Sequence, residues 1–305
     1  MKKFLRNCLI HSLMLVLLVG LFSGCGSKST PDTNALTKVT LNEVAHSIFY
    51  APMYVAQEKG YFAEEGIELT LVTGFGADKT MTAVLTDEAQ IGFMGSESTV
   101  YTYAGGTQDY VVNFAQLTQR AGNFLVSREP ITDFSWDMLI GKNVLGGRAG
   151  GMPQMVFEYI LKKNGIDPEK DLIIDQSIDF GSTAAAFSEG QGDYTVEFEP
   201  HATSLEEAGK GYVVASLGED SGYVPYTAFS AKGSYIEKNP EVIQSFTNAL
   251  QKGMDYVQAH SPEEIAEIIA PQFAETDVKT ITTIVKRYYD QDAWKSDLIF
   301  EKESF

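Results

Sequence analysis

Cysteine is nearly absent from this sequence. The 305 residues include two cysteines, Cys8 and Cys25, and both lie within the first 25 positions. Cleavage of a signal peptide over residues 1–24 would remove Cys8 and leave Cys25 as the first residue of the mature chain. We therefore expect no disulfide bond, no thiolate nucleophile and no cysteine-ligated zinc site, so that a packed core alone must stabilise the fold.

Other catalytic and metal-binding patterns are also missing. His46, His201 and His260 are remote from one another in sequence, so no paired histidine spacing points to a metal ion. The segment Gly95–Ser98 does not have the spacing of the nucleophile elbow of a serine hydrolase. No glycine-rich segment fits a nucleotide-binding fingerprint. We predict a protein that is not an enzyme, with no catalytic residue, no metal and no cofactor.

Cations are scarce relative to anions. The chain has 23 lysines and arginines against 41 aspartates and glutamates, which gives a formal net charge of −18. After the N-terminal segment, the longest basic groupings are pairs such as Lys162-Lys163 and Lys286-Arg287. A protein of this charge repels a polyanion unless a basic patch overrides the net field, and a pair is not a patch. Nucleic acid is therefore excluded as a partner.

Long apolar runs are missing too, and the longest is the ten residues Leu13–Phe22. A helix of ten residues is too short to cross about 30 Å of hydrocarbon, so this run fits the apolar region of a signal peptide. Lys2, Lys3 and Arg6 precede it, and Ser23-Gly24-Cys25 follows it. We predict a signal peptide that ends before the cysteine; an uncleaved anchor and ordinary secretory cleavage are the alternatives.

The junction before Cys25 resembles a bacterial lipobox, in which the cysteine thiol receives a diacylglycerol. One departure is Phe22, three positions before the cysteine, where lipoboxes usually carry leucine. Several acyl chains on one residue would hold the protein at a membrane, at about 0.8 kcal/mol for each buried CH₂ group. The next residues are polar and rich in serine, threonine and proline, which predicts a flexible tether over residues 25–37. We expect a lipid-anchored protein on the extracytoplasmic face of the cell membrane.

Beyond the tether the sequence alternates short strand patterns with helix patterns. One series of β-α units begins near Val39 and a second near Asp133, and the pattern is mostly helical after Tyr235. Helices are predicted there at Pro240–His260, Pro262–Ile269 and Asp277–Tyr289. Repeated β-α units favour mainly parallel sheets. We therefore predict an α/β fold of two lobes, with residues 38–125 plus 225–305 in lobe 1 and residues 126–224 in lobe 2.

Three predicted strand-to-helix junctions share a glycine-rich composition: Gly74–Asp78, Gly95–Thr99 and Gly146–Gly151. Glycine lets the backbone approach a ligand closely, and free N–H groups at the start of a helix bind anionic or carbonyl oxygens. Each junction taken alone is also consistent with a plain tight turn. Because ligands of open α/β sheets lie beyond the carboxyl ends of strands, three such junctions in two sheets predict a shared cleft.

The order of several motifs carries a family resemblance. The run Asn42–Pro52 (NEVAHSIFYAP) leads into Tyr54-Val55-Ala56, then Lys59–Phe62 (KGYF) and Glu65-Gly66-Ile67. Farther along stand three more matches: Thr82–Gly92 (TAVLTDEAQIG), Gly141–Val144 (GKNV) and Phe198-Glu199-Pro200. In this order the motifs resemble the SsuA/THI5-like (NitT/TauT-type) substrate-binding proteins of ABC importers, over nearly all of residues 38–300.

This resemblance implies a type II periplasmic-binding-protein fold, in which two α/β lobes joined by a hinge close on a small molecule. The partners that it implies are a small-molecule ligand, an ABC permease and an ATPase, and we expect the binding protein to be a monomer. One departure from the family pattern lies near the end of the sequence, where Asp292-Ala293-Trp294 and Lys302–Phe305 look like the entry to a last helix that family members continue further. Either this protein ends short of that helix or the sequence is a fragment.

Residues of the first ligand loop and of the glycine-rich junctions are the candidates for ligand binding by their position in this pattern. We expect the ligand to contact His46, Ser47, Phe49, Tyr50, Gly76, Asp78, Ser96, Glu97, Ser98, Gln119, Arg120, Arg148, Gly150, Gly151 and Glu199. Some of them have structural alternatives. A lone histidine often serves packing, and the two arginines could instead lock the lobes by surface ion pairs. Because the Glu-Pro step recurs in the family regardless of substrate, Glu199 could instead make an interlobe or capping contact.

The candidate residues favour one class of ligand over others. Aromatic faces on Phe49 and Tyr50, beside acceptors on Glu97 and Glu199, suit a flat, amino-bearing heterocycle such as a thiamine-precursor pyrimidine. The alternatives are a sulfonate- or nitrate-type anion and a flavin-like nutrient. Two other function classes stay open. One is a pyrimidine-synthase-like enzyme, whose cysteine-rich CCCFC motif is absent here, and the other is a sensor that reports ligand to a partner kinase.

Overall fold

The computed structural model of the protein describes residues 35–146, 149–178 and 181–304. From Leu36 onward the chain forms one compact unit, to which the following description applies. The signal peptide predicted over residues 1–24, the lipid attachment predicted at Cys25 and the candidate ligand residue Arg148 all lie outside the described residues.

Within the described residues, ten β-strands form two five-stranded sheets. The strands are β1 (Thr37–Glu43), β2 (Ile67–Thr73), β3 (Ile91–Gly95), β4 (Val111–Thr118), β5 (Asn123–Ser127), β6 (Asn143–Leu145), β7 (Ile173–Asp175), β8 (Tyr194–Phe198), β9 (Tyr212–Ser216) and β10 (Thr227–Lys232). The first sheet has the order β2-β1-β3-β10-β4 and the second has the order β7-β6-β8-β5-β9.

The two α/β lobes predicted from the sequence are confirmed, with one qualification about strand direction. In each sheet four strands point the same way and one runs antiparallel to both of its neighbours. The reversed strand is β10 in the first sheet and β5 in the second. Because one strand is reversed in each sheet, both sheets are mixed. Each reversed strand is the first one that the chain forms after it crosses from the other sheet.

Helices flank both sheets. The α-helices of the described residues are α1 (Ala51–Glu58), α2 (Tyr61–Glu64), α3 (Ala77–Leu85), α4 (Glu97–Ala104), α5 (Met152–Lys163), α6 (Thr183–Ser188), α7 (His201–Glu207), α8 (Leu217–Ser221), α9 (Gly233–Lys238), α10 (Pro240–Ala259), α11 (Pro262–Ile269) and α12 (Val278–Asp290). Short 3₁₀ turns occupy Ile48–Tyr50, Trp136–Leu139, Ala270–Phe273 and Lys302–Ser304. In this part of the chain, every helix is too short or too polar to cross a bilayer.

The C-terminal helices have clear sequence signals at their starts. Pro240 and Pro262 occupy the first turns of α10 and α11, where the missing N–H of proline costs no hydrogen bond. Ser261 and Glu264 form a capping box at α11, and the Asp277 side chain caps α12. Because these signals are local, all three helices begin within one residue of their predicted positions.

The chain crosses between the sheets at the β4–β5 and β9–β10 connections. We expected residues 123–125 to belong to lobe 1, but β5 begins at Asn123 and pairs with β8 and β9 of the second sheet. All five β5 residues are buried, because the strand lies between two others and is covered on both faces. The first crossing is therefore at residues 119–122, a few positions before the predicted boundary.

The residues after α12 do not form the helix entry that we expected. Trp294 makes an isolated antiparallel bridge with Thr118 at the end of β4. Its indole N–H donates to the carbonyl oxygen of Phe49 at 2.8 Å. These contacts bind the segment to the hinge in an extended form, and the short turn at Lys302–Ser304 is its one helical element within the described residues.

The larger of two hydrophobic core clusters continues through both lobes and the hinge. At the hinge, Phe49 packs against Phe198 of the second lobe, Tyr226 of the second crossing and Tyr288 of α12, with ring centroids 5.8, 5.7 and 5.0 Å away. We call these four residues the hinge cluster. Gly122 of the first crossing lies against the same ring, since a Cβ there would come within 2.6 Å of Phe49. The cluster thus joins the first loop to both crossings.

Candidate ligand-binding cleft

A cleft of about 580 Å³ lies between the two lobes. A cavity of this size can enclose a small organic molecule. Lobe 1 contributes most of the described lining, from within residues 44–50, 76–81, 95–107 and 226–227. Lobe 2 contributes residues 149–153 and Phe198. The cleft is therefore a two-sided site that depends on how the lobes meet.

The sheet topology explains where the cleft forms. The lining follows the carboxyl ends of β1, β3, β6 and β8, which is the ordinary location of ligands in α/β sheets. Three helices begin at this edge, with Gly76 capping α3, Ser96 capping α4 and Gly151 capping α5. Gly76 and Gly150 have φ angles of 152° and 76°, a region that favours glycine. The structure thus brings the three glycine-rich junctions around one cleft.

Seven of the predicted ligand residues line this cleft: Tyr50, Gly76, Asp78, Glu97, Ser98, Gly150 and Gly151. Their contact with a ligand stays a prediction. Arg148 precedes the lobe 2 part of the lining and lies outside the described residues. The other predicted residues of the described chain do not line the cleft, and their partners explain why.

His46 was expected to face the ligand, but it joins a buried polar cluster instead. Its Nε2 lies 2.8 Å from the carbonyl oxygen of Gln272, and its Nδ1 lies 2.8 Å from Oε1 of Glu43. The hydroxyls of Tyr54 and Thr73 also donate to the buried Glu43 carboxylate, at 2.6 and 2.9 Å. Burial opposes protonation of His46, but the bonds to Glu43 and Gln272 outweigh it and raise its pKa. His46 therefore ties the first loop to the C-terminal helices.

Ser47, Phe49 and Ser96 were also expected to contact ligand, and each is at most 2% exposed within the hinge. The Ser47 hydroxyl donates to the carbonyl oxygen of Glu199 at 2.7 Å and so links the first loop to lobe 2. The Ser96 hydroxyl donates to the carbonyl oxygen of Pro225 in the second crossing. Phe49 is the centre of the hinge cluster. All three hold the hinge together and do not reach the cleft.

Gln119 and Arg120 belong to the first crossing, which runs along the hinge and away from the cleft. The Gln119 amide donates to the carbonyl oxygen of Trp294 at 3.1 Å. The Arg120 guanidinium donates to the carbonyl oxygen of Gly218 at 3.2 Å and lies 4.2 Å from the centroid of the Tyr223 ring. These side chains donate to backbone carbonyl oxygens near the hinge, and neither residue lines the cleft.

Glu199 was expected to accept a bond from the ligand, but both oxygens of its fully buried carboxylate already accept hydrogen bonds from protein donors. Oε1 accepts from Arg287 at 2.6 Å and from the Thr203 hydroxyl at 2.9 Å, while Oε2 accepts from the Thr203 backbone N–H at 2.9 Å. Burial raises the pKa of Glu199, and Arg287 opposes that rise. The capping and interlobe role that we gave as its structural alternative describes these contacts.

Much of the apolar lining was missed at the sequence level. Phe198 ends β8 and faces the cleft, whereas the pattern directed attention to its neighbour Glu199. Tyr226 immediately precedes β10, a strand that we did not predict. Strand alternation could have shown that Phe198 and Glu199 point to different sides. For Tyr226 no sequence signal was available, because its position depends on the second crossing.

Glu97 has the most unusual environment in the cleft. Its Oε1 accepts a hydrogen bond at 3.0 Å from the backbone N–H of Met152, which lies at the start of α5 in the opposite lobe. Its Oε2 is buried and has no hydrogen-bond partner among the described residues. Burial raises the pKa of Glu97 to about 7, although the nearby backbone N–H groups of Glu97 and Met152 oppose that rise.

The charge of the lining is one-sided. Asp78 and Glu97 carry carboxylates, whereas the described lining residues include no lysine, arginine or histidine. Tyr50, Phe198 and Tyr226 add aromatic surface. Across residues 35–146, 149–178 and 181–304, no group of three or more His, Cys, Asp or Glu side chains is arranged to hold a metal ion. The cleft thus offers aromatic faces and acceptor oxygens.

The sequence matches a known family over most of its length. The model of the family described as NMT1/THI5-like matches residues 48–265. The chain belongs to the NMT1/THI5-like family. The protein of Bacillus subtilis named "Putative binding protein YtlA" is 50% identical to this chain over 269 residues, which are 88% of this chain and 80% of that protein. The nitrate/nitrite binding protein NrtA of Synechococcus elongatus is 25% identical over 298 residues, covering 84% of this chain and 65% of NrtA.

Solved structures share the fold at low sequence identity. The alkanesulfonate-binding protein SsuA of Xanthomonas axonopodis pv. citri, bound to MOPS, superposes with a TM-score of 0.68 at 14% identity, covering 86% of this chain and 96% of SsuA. The periplasmic nitrate-binding protein NrtA of Synechocystis gives a TM-score of 0.69 at 17% identity, covering 82% of this chain and 70% of that chain. The fold is that of periplasmic binding proteins, as the sequence resemblance implied.

Proposed function

We propose that this protein is the extracytoplasmic ligand-binding component of an ABC importer, and that it delivers a small molecule to a permease and its ATPase as a monomer. The comparisons support an ABC-type binding protein for small-molecule import. The observation that carries the proposal is the cleft of about 580 Å³ between two lobes at the carboxyl ends of their strands. The relative at 50% identity is named as a binding protein, which favours binding over the synthase alternative.

We infer further that the ligand is a flat heterocycle with an amino group, such as a pyrimidine of the thiamine-precursor type. Tyr50, Phe198 and Tyr226 supply aromatic surface against which a flat ring can pack. Glu97 supplies an acceptor oxygen that no described protein donor uses. A ligand that brings N–H donors and a flat apolar body complements both features.

An anionic ligand is the second candidate, and one observation favours it. α3, α4 and α5 begin at the cleft, and helix starts offer N–H groups and partial positive charge to anions. In this chain, however, the Glu97 carboxylate already accepts the Met152 N–H at the start of α5. Asp78 adds a second carboxylate to the lining. Both carboxylates disfavour a nitrate or a sulfonate at this part of the cleft.

A thermal-shift panel on the purified full chain tests the ligand class. We expect 4-amino-5-hydroxymethyl-2-methylpyrimidine to stabilise the protein, because binding only to the folded state adds about 2.7 kcal/mol at a ligand concentration one hundred times Kd. Ethanesulfonate, nitrate and riboflavin are the matched comparisons. Stabilisation by an anion and not by the pyrimidine would contradict the amino-heterocycle class while leaving the importer role in place.

We propose that Cys25 carries the lipid that holds the protein at the outer face of the cell membrane. The support is the sequence alone: a basic start, a ten-residue apolar run and small residues before the cysteine. We expect Cys25→Ser to abolish acylation and to move the protein from the membrane fraction to the soluble fraction, measured by fractionation and by mass spectrometry of the N-terminal peptide. Cys8→Ser is the control and should leave both unchanged. Equal membrane retention of the two variants would refute the anchor.

A further inference from the structure

We propose that Glu97 is the residue that selects the ligand by its N–H donor, and that the same carboxylate joins the bound ligand to the opposite lobe. In this arrangement Oε2 accepts a hydrogen bond from the ligand, and Oε1 keeps its bond to the backbone N–H of Met152 at 3.0 Å. The inference deepens the proposed function and rests on it, since it concerns the ligand of the same cleft.

The first support is the unequal use of the two carboxylate oxygens. Glu97 is only 8% exposed, and it lines the cleft. Oε1 accepts from Met152 and, more weakly, from the Ser98 hydroxyl at 3.4 Å, whereas Oε2 has no hydrogen-bond partner among the described residues. A buried acceptor without a donor is costly, so such groups usually have a partner. A donor on the ligand supplies that partner.

The second support is the backbone beneath the carboxylate. A Cβ on Gly95 would overlap both carboxylate oxygens of Glu97, so the glycine is what lets the side chain fold back over the end of β3. Gly95 has an ordinary φ angle, since it is absent from the glycines with positive φ in the described chain. The space above Gly95, more than its conformational freedom, therefore accounts for glycine at this position. Gly95, the last residue of β3, thus sets where the acceptor oxygens of Glu97 lie.

The third support is the position of the partner N–H. Met152 is the first residue of α5, a helix of twelve residues in lobe 2, and a carboxylate is favoured at a helix start. Glu97 is the first residue of α4 in lobe 1. The Glu97 carboxylate therefore spans the cleft. A ligand donor on Oε2 favours the ionised form of Glu97, and this form is also the better acceptor for the Met152 N–H. Ligand binding and the contact between lobes then reinforce each other.

Replacement of Glu97 by glutamine tests this geometry sharply. Because the Met152 N–H requires an acceptor, the glutamine carbonyl oxygen should take the place of Oε1, and the NH₂ group should take the place of Oε2. The cleft then presents a donor where it had an acceptor. The probes are 4-amino-5-hydroxymethyl-2-methylpyrimidine and 5-hydroxymethyl-2-methylpyrimidine, which lacks the amino group, and calorimetry on the full chain measures Kd for both.

We expect the natural protein to prefer the amino compound by about 10- to 100-fold, the range for a hydrogen bond to a charged acceptor. In Glu97→Gln this preference should fall to about one or reverse. Gly95→Ala displaces the carboxylate without removing it, and it should also lose the preference. Glu88→Gln makes the same chemical change at an exposed position just after the C-terminal end of α3, whereas the cleft lies at the start of that helix. This variant should keep the preference of the natural protein for the amino compound.

The outcomes separate this inference from the proposed function. An unchanged preference in Glu97→Gln, with both pyrimidines bound, would overturn the role of Glu97 and leave the ligand class intact. A merely structural role would lower the affinity for both compounds equally and would leave their ratio unchanged. Binding of nitrate or ethanesulfonate and of neither pyrimidine would overturn both the ligand class and the role of Glu97, while the importer role would stand.

Discussion

Replacing Arg287 by methionine is expected to lower the free energy of unfolding by about 3 kcal/mol, because it leaves a buried charge without its partner. Arg287 lies 2.6 Å from the Glu199 carboxylate, whose side chain is fully buried, and 2.6 Å from Glu206. We take the lower end of the usual range for breaking a buried ion pair, because the Arg287 side chain is 29% exposed. Urea unfolding of the full chain at pH 8 measures the effect.

Two controls identify the cause of that loss. Lys286→Met removes a neighbouring ion pair with Asp290 in which both side chains are 61% exposed, so it should cost between about 0 and 1 kcal/mol. Glu199→Gln combined with Arg287→Met should recover part of the loss, because it removes the unpaired charge. A double variant as unstable as the sum of the single changes would show that the ion pair is not the reason.

The loss in Arg287→Met should also depend on pH, in a direction that follows from Glu199. Burial raises the pKa of Glu199 in the folded protein, so this group binds its proton more tightly in the folded than in the unfolded state. Its contribution to stability is therefore greatest at low pH and is lost as the pH rises through the folded-state pKa. Without Arg287 that pKa rises further, and we expect a smaller deficit at pH 5 than at pH 8. An equal deficit at both values would argue against an unpaired carboxylate.

Truncation of Phe49 to alanine is expected to cost about 4 kcal/mol of unfolding free energy, within the range for buried phenylalanines. The ring is fully buried, and in the hinge cluster it contacts Phe198, Tyr226 and Tyr288 at centroid distances below 6 Å. The cavity cannot close easily, since these neighbours belong to different lobes and to α12. Chemical unfolding with a fluorescence readout measures the loss.

Phe75→Ala is the matched control for this change. Phe75 is 54% exposed, so the same truncation should alter the free energy of unfolding by less than about 1 kcal/mol. Phe49→Leu should fall between the two variants, because leucine refills part of the space. Equal stability of Phe49→Ala and Phe75→Ala would contradict the tight packing of the hinge cluster that the ring centroid distances indicate.

The candidate site was predictable where local chemistry alone decided it. Gly76, Gly150 and Gly151 could be placed at the cleft, because glycine-rich junctions recur at three strand ends in two sheets and ligands of α/β sheets bind at such ends. Glu97 followed from its place in such a junction. His46 and Glu199 could not be placed correctly, since their partners Gln272 and Arg287 are 226 and 88 residues away in the chain. Which polar group meets a ligand and which meets the protein depends on such distant contacts.

The sequence by itself determined the alternation of strands and helices, the helix starts at Pro240, Pro262 and Asp277, the near absence of cysteine, and the family resemblance. These features rest on local periodicity, on capping and on composition, which act over a few residues. The tertiary structure alone decided that β5 and β10 run antiparallel to their neighbours and that Phe198 and Tyr226 line the cleft. It also decided that Glu97 has one oxygen bound across the lobes and one without a described partner. The physical reason is that burial and pairing between remote segments arise only when the two lobes pack against each other.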